Sequence, residues 1–472
     1  MLFSKKSTAW VYMLFKEVVC NFTSHEIAYW DRPRAALIRD NIYLEGGWMQ
    51  TGTWKDGAWD LESLATVSPS DGMLFKLSLH NSFGTRAEDP PAWFEQIPEG
   101  GVKNYYLDGY MFADDEEFYA WGGMTVVSQN ASTRTVSMVL YDDTHSANAS
   151  LGLPDVTYKP QNGSFITVTN GAGANAPSER CSFYFGGFCN DSEAAYSYFN
   201  QPKNQSNWLI TVDMSELGHA TWSKTPLNGN SSWRSESGLV WVPTSTAGIL
   251  VVIGGVIQPA DMNFEIPHDN YTQSITYLQQ FPIYDIGSDT WSTQMLNEDS
   301  PVPDVPLAQF CTVVASSPDS SHHEIFVYGG WDSNGGQAQD AVWILTVPSF
   351  TWVKASSPGR TGGARQNHVC VTPYPDQMIV VGGTGVGETP PTYNTTVDVF
   401  SLNTFTWTGR YDPDIYDEYK PHRDIQKIVS ATPTASYMST EVASWFDTKY
   451  DMNKVRFYGP YQDDCKVLSP RT

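Results

Sequence analysis

The clearest regularity in the chain is a short apolar run that ends in two glycines and occurs six times. It reads NIYLEGG at 41–47, EFYAWGG at 117–123, SFYFGG at 182–187, GILVVIGG at 248–255, EIFVYGG at 324–330 and QMIVVGG at 377–383. Successive glycine pairs lie 76, 64, 68, 75 and 53 residues apart. The runs recur while the connections between them vary, as expected when loops absorb the insertions. A second strand follows each pair. In the last four repeats a third strand then opens on a tryptophan, at Trp222, Trp291, Trp352 and Trp407. Upstream, RPRAALIRDN (32–41), LAQFCTVVAS (307–316) and ARQNHVCVTP (364–373) supply one strand more. The unit has about four strands, the size of a β-propeller blade.

The glycine pairs have a physical reason. Wedge-shaped sheets converge on a narrow axis, where backbones approach closely and turns need positive φ. Gly46, Gly47, Gly122, Gly123, Gly186, Gly187, Gly254, Gly255, Gly329, Gly330, Gly382 and Gly383 are therefore read as repeat positions. The four tryptophans are read as packing between blades, each indole N–H needing an acceptor when buried. The expected fold is all-β, a six-bladed propeller, with seven blades as the alternative. Residues 1–27 form a leader or closing segment and 28–430 the propeller. Blades fall near 28–84, 92–146, 156–224, 233–296, 305–356 and 361–410, and 431–472 form a C-terminal tail with a loose end. Either DIQKIVSAT (424–432) or VVCNF (18–22) is expected to close the ring as a strand.

Composition agrees with this architecture. Aromatic residues make up 14% of the 472 and charged residues 17%, with 37 Gly and 29 Pro, which suits short strands and turns. A formal charge of −24 repels phosphate backbones and anionic lipid, so nucleic acid is not an expected partner. No run has the length of a membrane-spanning helix, so direct membrane insertion is not expected. The start, MLFSKKSTAWVYMLFKEVVC, is a poor signal peptide because Lys16 and Glu17 cut its apolar run short. Nine sequons, at Asn21, Asn130, Asn148, Asn162, Asn190, Asn204, Asn230, Asn270 and Asn394, favour a secreted glycoprotein, with most of them between strands. A cytoplasmic chain is the alternative.

At the level of the whole repeat, over roughly 28–430, the chain resembles kelch proteins. Over DAVWILTVPSFTWVKAS (340–356) and ARQNHVCVTPYPDQMIVVGGTGVG (364–387) it resembles fungal kelch-repeat proteins with an extracellular propeller. The resemblance implies a continuation into a low-complexity stalk and a transmembrane helix, neither of which occurs within these residues. It also brings in galactose oxidase-like copper chemistry, which needs imidazole ligands and a Tyr joined to a Cys thioether. Tyr184 follows Cys181 by three residues, and strand alternation puts them on opposite faces. Among the histidines only His368 sits on an expected strand, with a structural role, and His322 and His323 belong to a solvated hairpin turn. The acidic run 114–117 reads as a solvated tip. No catalytic residue, metal ligand or cofactor is therefore assigned.

Six cysteines make no disulfide framework. Cys181 and Cys189 are candidates for a local bridge, and Cys20 and Cys465 for one between the ends. Cys311 and Cys370 occupy equivalent places in two repeats and are expected to be buried free thiols. The expected function is non-enzymatic recognition of protein or glycan partners by a monomer. Its loops 48–71, 188–206, 256–276 and 384–396 supply the contacts, with Phe264, His268 and Tyr271 preferred. A copper-radical or other carbohydrate-active enzyme, and an intracellular scaffold in cell morphology, are the alternatives.

Overall fold

A computed structural model describes residues 22–458, apart from 62–73, 87–88, 98–105, 131–134, 141–142, 149–156, 161–166, 191–195, 198–203, 230–232, 258–273, 306, 333–335, 357–361, 386–395, 433 and 436. Six antiparallel four-stranded sheets dominate it. Their inner strands are Arg34–Ile38, Tyr110–Ala113, Ala172–Ala176, Gly238–Val242, Cys311–Ser316 and Gln366–Tyr374. The second strands are Asn41–Glu45, Glu117–Trp121, Cys181–Phe185, Ile249–Ile253, His323–Tyr328 and Gln377–Thr384. The third are Leu74–Ser78, Asp143–Asn148, Trp208–Asp213, Gln280–Asp285, Val342–Val347 and Val397–Ser401. The outer strands are Trp93–Ile97, Thr157–Pro160, Thr221–Pro226, Thr290–Met295, Thr351–Lys354 and Thr406–Trp407. Each inner strand packs on the next in cyclic order, and the sixth packs on the first. The sheets are blades of a closed β-propeller.

The glycine pairs are the joints of the ring. All twelve glycines have φ between 57° and 97°. The first glycine of a pair faces the neighbouring blade, where a Cβ on Gly186 would stand 2.6 Å from the Arg234 carbonyl oxygen. The second faces its own blade, where a Cβ on Gly187 would stand 2.3 Å from that of Thr169. The same N–H positions bond across the seam: Gly123 to Val168 O at 2.8 Å, Gly255 to Leu307 O at 2.8 Å and Gly330 to Arg365 O at 2.9 Å. Gly383 pairs with Trp30, which joins the sixth blade to the first.

The tryptophans pack where the repeat puts them, each the second residue of an outer strand. Trp222 meets Trp121 of the preceding blade at 5.6 Å, Trp291 meets Phe185 at 5.6 Å and Trp407 meets Tyr328 at 4.7 Å. Fully buried Trp352 donates its indole N–H to Leu278 O at 2.9 Å, again in the preceding blade. In the first blade Phe94 holds the second position of the outer strand, packed on Trp30 at 5.7 Å. Without the tryptophan as a marker, two outer strands are misassigned from sequence. Trp93–Ile97 completes the first blade and Thr157–Pro160 the second, although the expected boundaries gave each to the blade that follows.

Closure differs from the expectation as well. The four main strands of each blade come from one contiguous stretch, and the N-terminal strand Ile27–Asp31 joins the edge of the sixth-blade sheet through Trp30 and Gly383. Residues 424–432 fall largely in a helix, α1 (Arg423–Ala431), and Thr440–Asp447 form α2. Among the described residues neither a closing strand nor a seventh blade forms there: α1 buries Ile425 on one side and is capped by the His422 ring, which accepts the backbone N–H of Asp424. Phe22–Thr23 adds a short fifth strand to the outer edge of the first blade. The C-terminal stretch as far as Tyr458 runs as a strap along the blades. Tyr374 donates to Pro413 O at 2.7 Å at the sixth blade, and Thr244 to Trp445 O at 3.1 Å at the fourth. Tyr450 lies against Ser178 at 2.8 Å at the third, and Tyr458 donates to Asp115 at 2.6 Å at the second. The last dozen residues lie outside the described residues.

Three local expectations are overturned by burial. Cys311 and Cys370 are joined by a disulfide across adjacent inner strands, with Cα atoms 5.5 Å apart. Equivalent positions on neighbouring inner strands come face to face at the axis, a convergence that repeat arithmetic does not convey. His323 begins a strand and is fully buried against Ser316 at 2.8 Å, and His322 bonds Glu324, itself wholly buried. Asp114 is 1% exposed, accepting the backbone N–H of Glu116 and Glu117 and the Arg180 guanidinium at 2.9 Å. The local bridge considered between Cys181 and Cys189 does not form.

Two predictions follow from these contacts. Gly187 and Gly57 share a left-handed backbone, but nothing lies within 4 Å of a Cβ at Gly57. Gly57→Ala is expected to cost about 1 kcal/mol, the conformational term alone, and Gly187→Ala about 3 kcal/mol or more. Equal losses in urea unfolding would refute the close-approach argument. The second concerns His323, whose pKa is held down at about 3 by burial and then by the neighbouring His322 charge. Between that value and the ordinary 6.5 the unfolded chain carries a proton that the folded chain lacks, so stability falls as pH drops. The stability advantage of wild type over His323→Asn should shrink by about 2 kcal/mol between pH 7.5 and 5.0. An unchanged difference in unfolding free energy at the two pH values would exclude a neutral buried imidazole.

Candidate functional site at the propeller axis

At the start of each inner strand one residue turns through left-handed backbone, two residues ahead of the strand in the first five blades and at its second residue in the sixth. These are Arg32, Asp108, Asn170, Glu236, Gln309 and Asn367, with φ of 52°, 67°, 57°, 54°, 56° and 56°. All six are polar, and none is glycine. Their main chains link around the axis: Arg32 N–H to Asn367 O at 3.0 Å, Glu236 to Asn170 O at 2.8 Å, Gln309 to Glu236 O at 3.2 Å and Asn367 to Gln309 O at 2.9 Å. Asn170 N–H turns instead to the Asp108 carboxylate. Arg32 of the first blade meets Glu236 of the fourth, the blade opposite, at 3.2 Å. Asn170 also donates to Glu236, and Asn367 donates to Asp31 at 2.7 Å. With side chains only 7% and 9% exposed, the ion pair spans the axis and seals it at the glycine end.

Beneath this collar lies a central cavity of about 470 Å³, walled by all six inner strands. Its size suits a small molecule. Leu37, Gly173, Trp241, Thr312 and Val371 line the wall, and Cys311, Cys370 and His368 stand at the seam of the fifth and sixth blades. Burial, then the Arg365 charge, holds His368 well below the ordinary histidine range, so it is a neutral imidazole. At the far mouth the strap brings Met452, Val455, Phe457 and Tyr458 to the cavity. Arg39 lies over the Tyr458 ring at 5.7 Å, and burial raises the pKa of Asp115 beside it.

Strand direction sorts the connections. Each chain leaves its second strand at the glycine end, so the long links 48–73, 188–207 and 256–279 all emerge on that face. Several continue as extra strands above the collar: Trp48–Lys55 with Ala58–Leu61, Phe188–Asn190 with Asn204–Gln205, and Trp331–Asp332 with Gln337–Ala338. The hairpin 48–61 stands out from the first blade with Leu61 43% exposed, and it carries half-buried Trp54 and Trp59 edge to face at 5.6 Å.

The preferred contact residues Phe264, His268 and Tyr271 lie outside the described residues, as do Asn21, Asn162, Asn230, Asn270 and Asn394. Asn130, Asn148, Asn190 and Asn204 stand at strand ends instead of between strands. Cys181 packs with Phe183 and Phe185, whereas Tyr184 packs with Trp121 on the other face, so the two are not brought together. Reading the sequence missed the collar entirely. Its signal was a polar residue at the start of each inner strand (DRPR, LDGY, TNGA, SESG, AQFC, QNHV), too varied in side chain to be seen as a repeat.

No family model matches the chain. It is similar to a Kelch repeat-containing protein of Arthroderma benhamiae, 24% identical over 420 residues and 80% of this chain. The chain spans little more than half of that relative, 56% of its length. A solved structure titled "Structure of YjhT" is 12% identical and covers 80% of this chain and 97% of its own, at a TM-score of 0.48. The repeated glycine joints and the closed ring of sheets make the chain a β-propeller, similar in sequence to that kelch-repeat protein.

Proposed function

We propose that this propeller is a non-enzymatic recognition module, exported from the cell, that holds a protein or glycan partner on its glycine-end face. A binding or scaffold role in general accords with the kelch-type propeller. The observation that carries the finer reading is the asymmetry of the two faces. One end is crossed by the chain's own strap, held by Tyr374, Thr244, Ser178 and Asp115. The other end gathers the long connections above a sealed collar. There the 48–61 hairpin presents Trp54 and Trp59, amphipathic rings of the kind that stack on sugar rings or anchor protein contacts. The Cys311–Cys370 bridge and the nine sequons support export, because disulfides persist in oxidising compartments. Among the described residues, no helix is long and apolar enough to cross a membrane.

Binding of the purified chain to cell-wall glycans and to secreted proteins from its source cells tests this reading. The Trp54→Ala/Trp59→Ala double variant is expected to bind its partner at least tenfold more weakly. Tyr437→Ala, which removes a side chain 65% exposed beside the strap helices, is expected to leave affinity unchanged. The opposite pattern would move the recognition surface to the strap side.

A further inference from the structure

Inside the cavity wall three soft or borderline ligands converge outside the face just discussed. The sulfur atoms of Cys311 and Cys370 and a ring nitrogen of His368 lie within 4.8 Å of one another. Ligands in a tetrahedral zinc site stand about 3.5–3.8 Å apart, given metal–sulfur and metal–nitrogen bonds near 2.3 and 2.1 Å. The three groups come from two inner strands and so are held by the ring itself. His368 is also oriented as a ligand would be. Its Nε2 faces the Tyr328 carbonyl at 3.1 Å, which fixes the proton there and leaves the buried Nδ1 as the nitrogen that carries the lone pair. A backbone carbonyl holding one imidazole nitrogen is the usual outer support of a metal-bound histidine. All three residues line the cavity, which leaves a fourth position open to a water or a small ligand.

We propose that Cys311, Cys370 and His368 form a redox-gated site for a thiophilic divalent ion of the zinc class. In the disulfide form the sulfurs are bonded to each other and the site is closed. A dithiol reductant opens it: the disulfide takes up two electrons and two protons, giving two thiols, and the reductant leaves as its cyclic disulfide. The ion then displaces both thiol protons and binds two thiolates and His368 Nδ1, with two protons released. A small-molecule disulfide reverses the sequence: the two thiolates give it two electrons and bond to each other, it takes up two protons and leaves as two thiols, and the ion is expelled. The site therefore exchanges a covalent staple between the fifth and sixth blades for a metal bridge at the same place, and so keeps the ring closed in either redox state.

Cobalt(II) serves as the probe, added without oxygen to the full chain after reduction and removal of the reductant. One equivalent is expected to give thiolate-to-cobalt absorption in the near ultraviolet, bleached by zinc, with two protons released per ion. The oxidised wild type, the same folded chain without any substitution, is expected to bind at least a hundredfold more weakly. His368→Ala should weaken binding at least tenfold in the reduced protein, while Cys181→Ser/Cys189→Ser should leave it unchanged. Absence of the absorption band in the reduced wild type would overturn the proposal. So would a band that survives in Cys311→Ser/Cys370→Ser, which would place the ion on other cysteines, or equal affinity in both redox states.

Discussion

Everything in this molecule depends on fitting six backbones around one narrow axis. The inner strands converge until main chains touch, and the collar residues Arg32, Glu236, Gln309 and Asn367 bond to their neighbours through main-chain atoms. At that radius no side chain fits at the joints, which explains why both glycines of every pair are glycine. A Cβ at Gly123, Gly187, Gly255 or Gly330 would stand within 2.7 Å of a carbonyl oxygen. The collar residues turn through the same left-handed region without being glycine, and the cost is met by interactions that only they can make. Arg32 and Glu236 meet across the axis, and Asn170 and Asn367 secure the two carboxylates beside them.

Farther from the axis the same wedge geometry opens gaps, and large side chains fill them. In the third to sixth blades the tryptophan near the start of the outer strand reaches back to the preceding blade, so neighbouring sheets there share one packed layer. Where Phe94 stands in this place the layer persists, packed on Trp30 and without an indole donor. The strap then works at the end that the glycines leave unsecured. It fastens the sixth, fourth, third and second blades in turn, which makes the ring's closure a property of the whole chain and not of a single seam.

The division of faces has consequences for chemistry. A sealed collar and a strap leave the cavity as an interior compartment in which buried groups keep unusual protonation states. His368 stays neutral there and Tyr110 is pushed up by burial. The hairpin 48–61 and the strand pairs that follow other second strands lie outside it, on connections set apart from the joints. Rigid centre and variable rim are two results of one packing problem.

The sequence by itself determined the repeat, its four-strand unit, the closed ring and the positions of the glycines and tryptophans. These features rest on local rules, namely positive φ at Gly254–Gly255 or alternation in EIFVYGG, which operate within a few residues and leave a visible pattern. Only the tertiary structure decided what distant segments do when brought together. Asn367 and Arg32, or Glu236 and Arg32, are far apart in sequence and carry different side chains, so no local signal links them. Residues 424–432 read as a strand from their apolar content, but they fall largely in the helix Arg423–Ala431, which buries Ile425 against the propeller. The Cys311–Cys370 bridge and the burial of His323 follow the same logic. Convergence at the axis and coverage by the strap are three-dimensional facts, and the residues that meet there acquire their chemistry from the meeting.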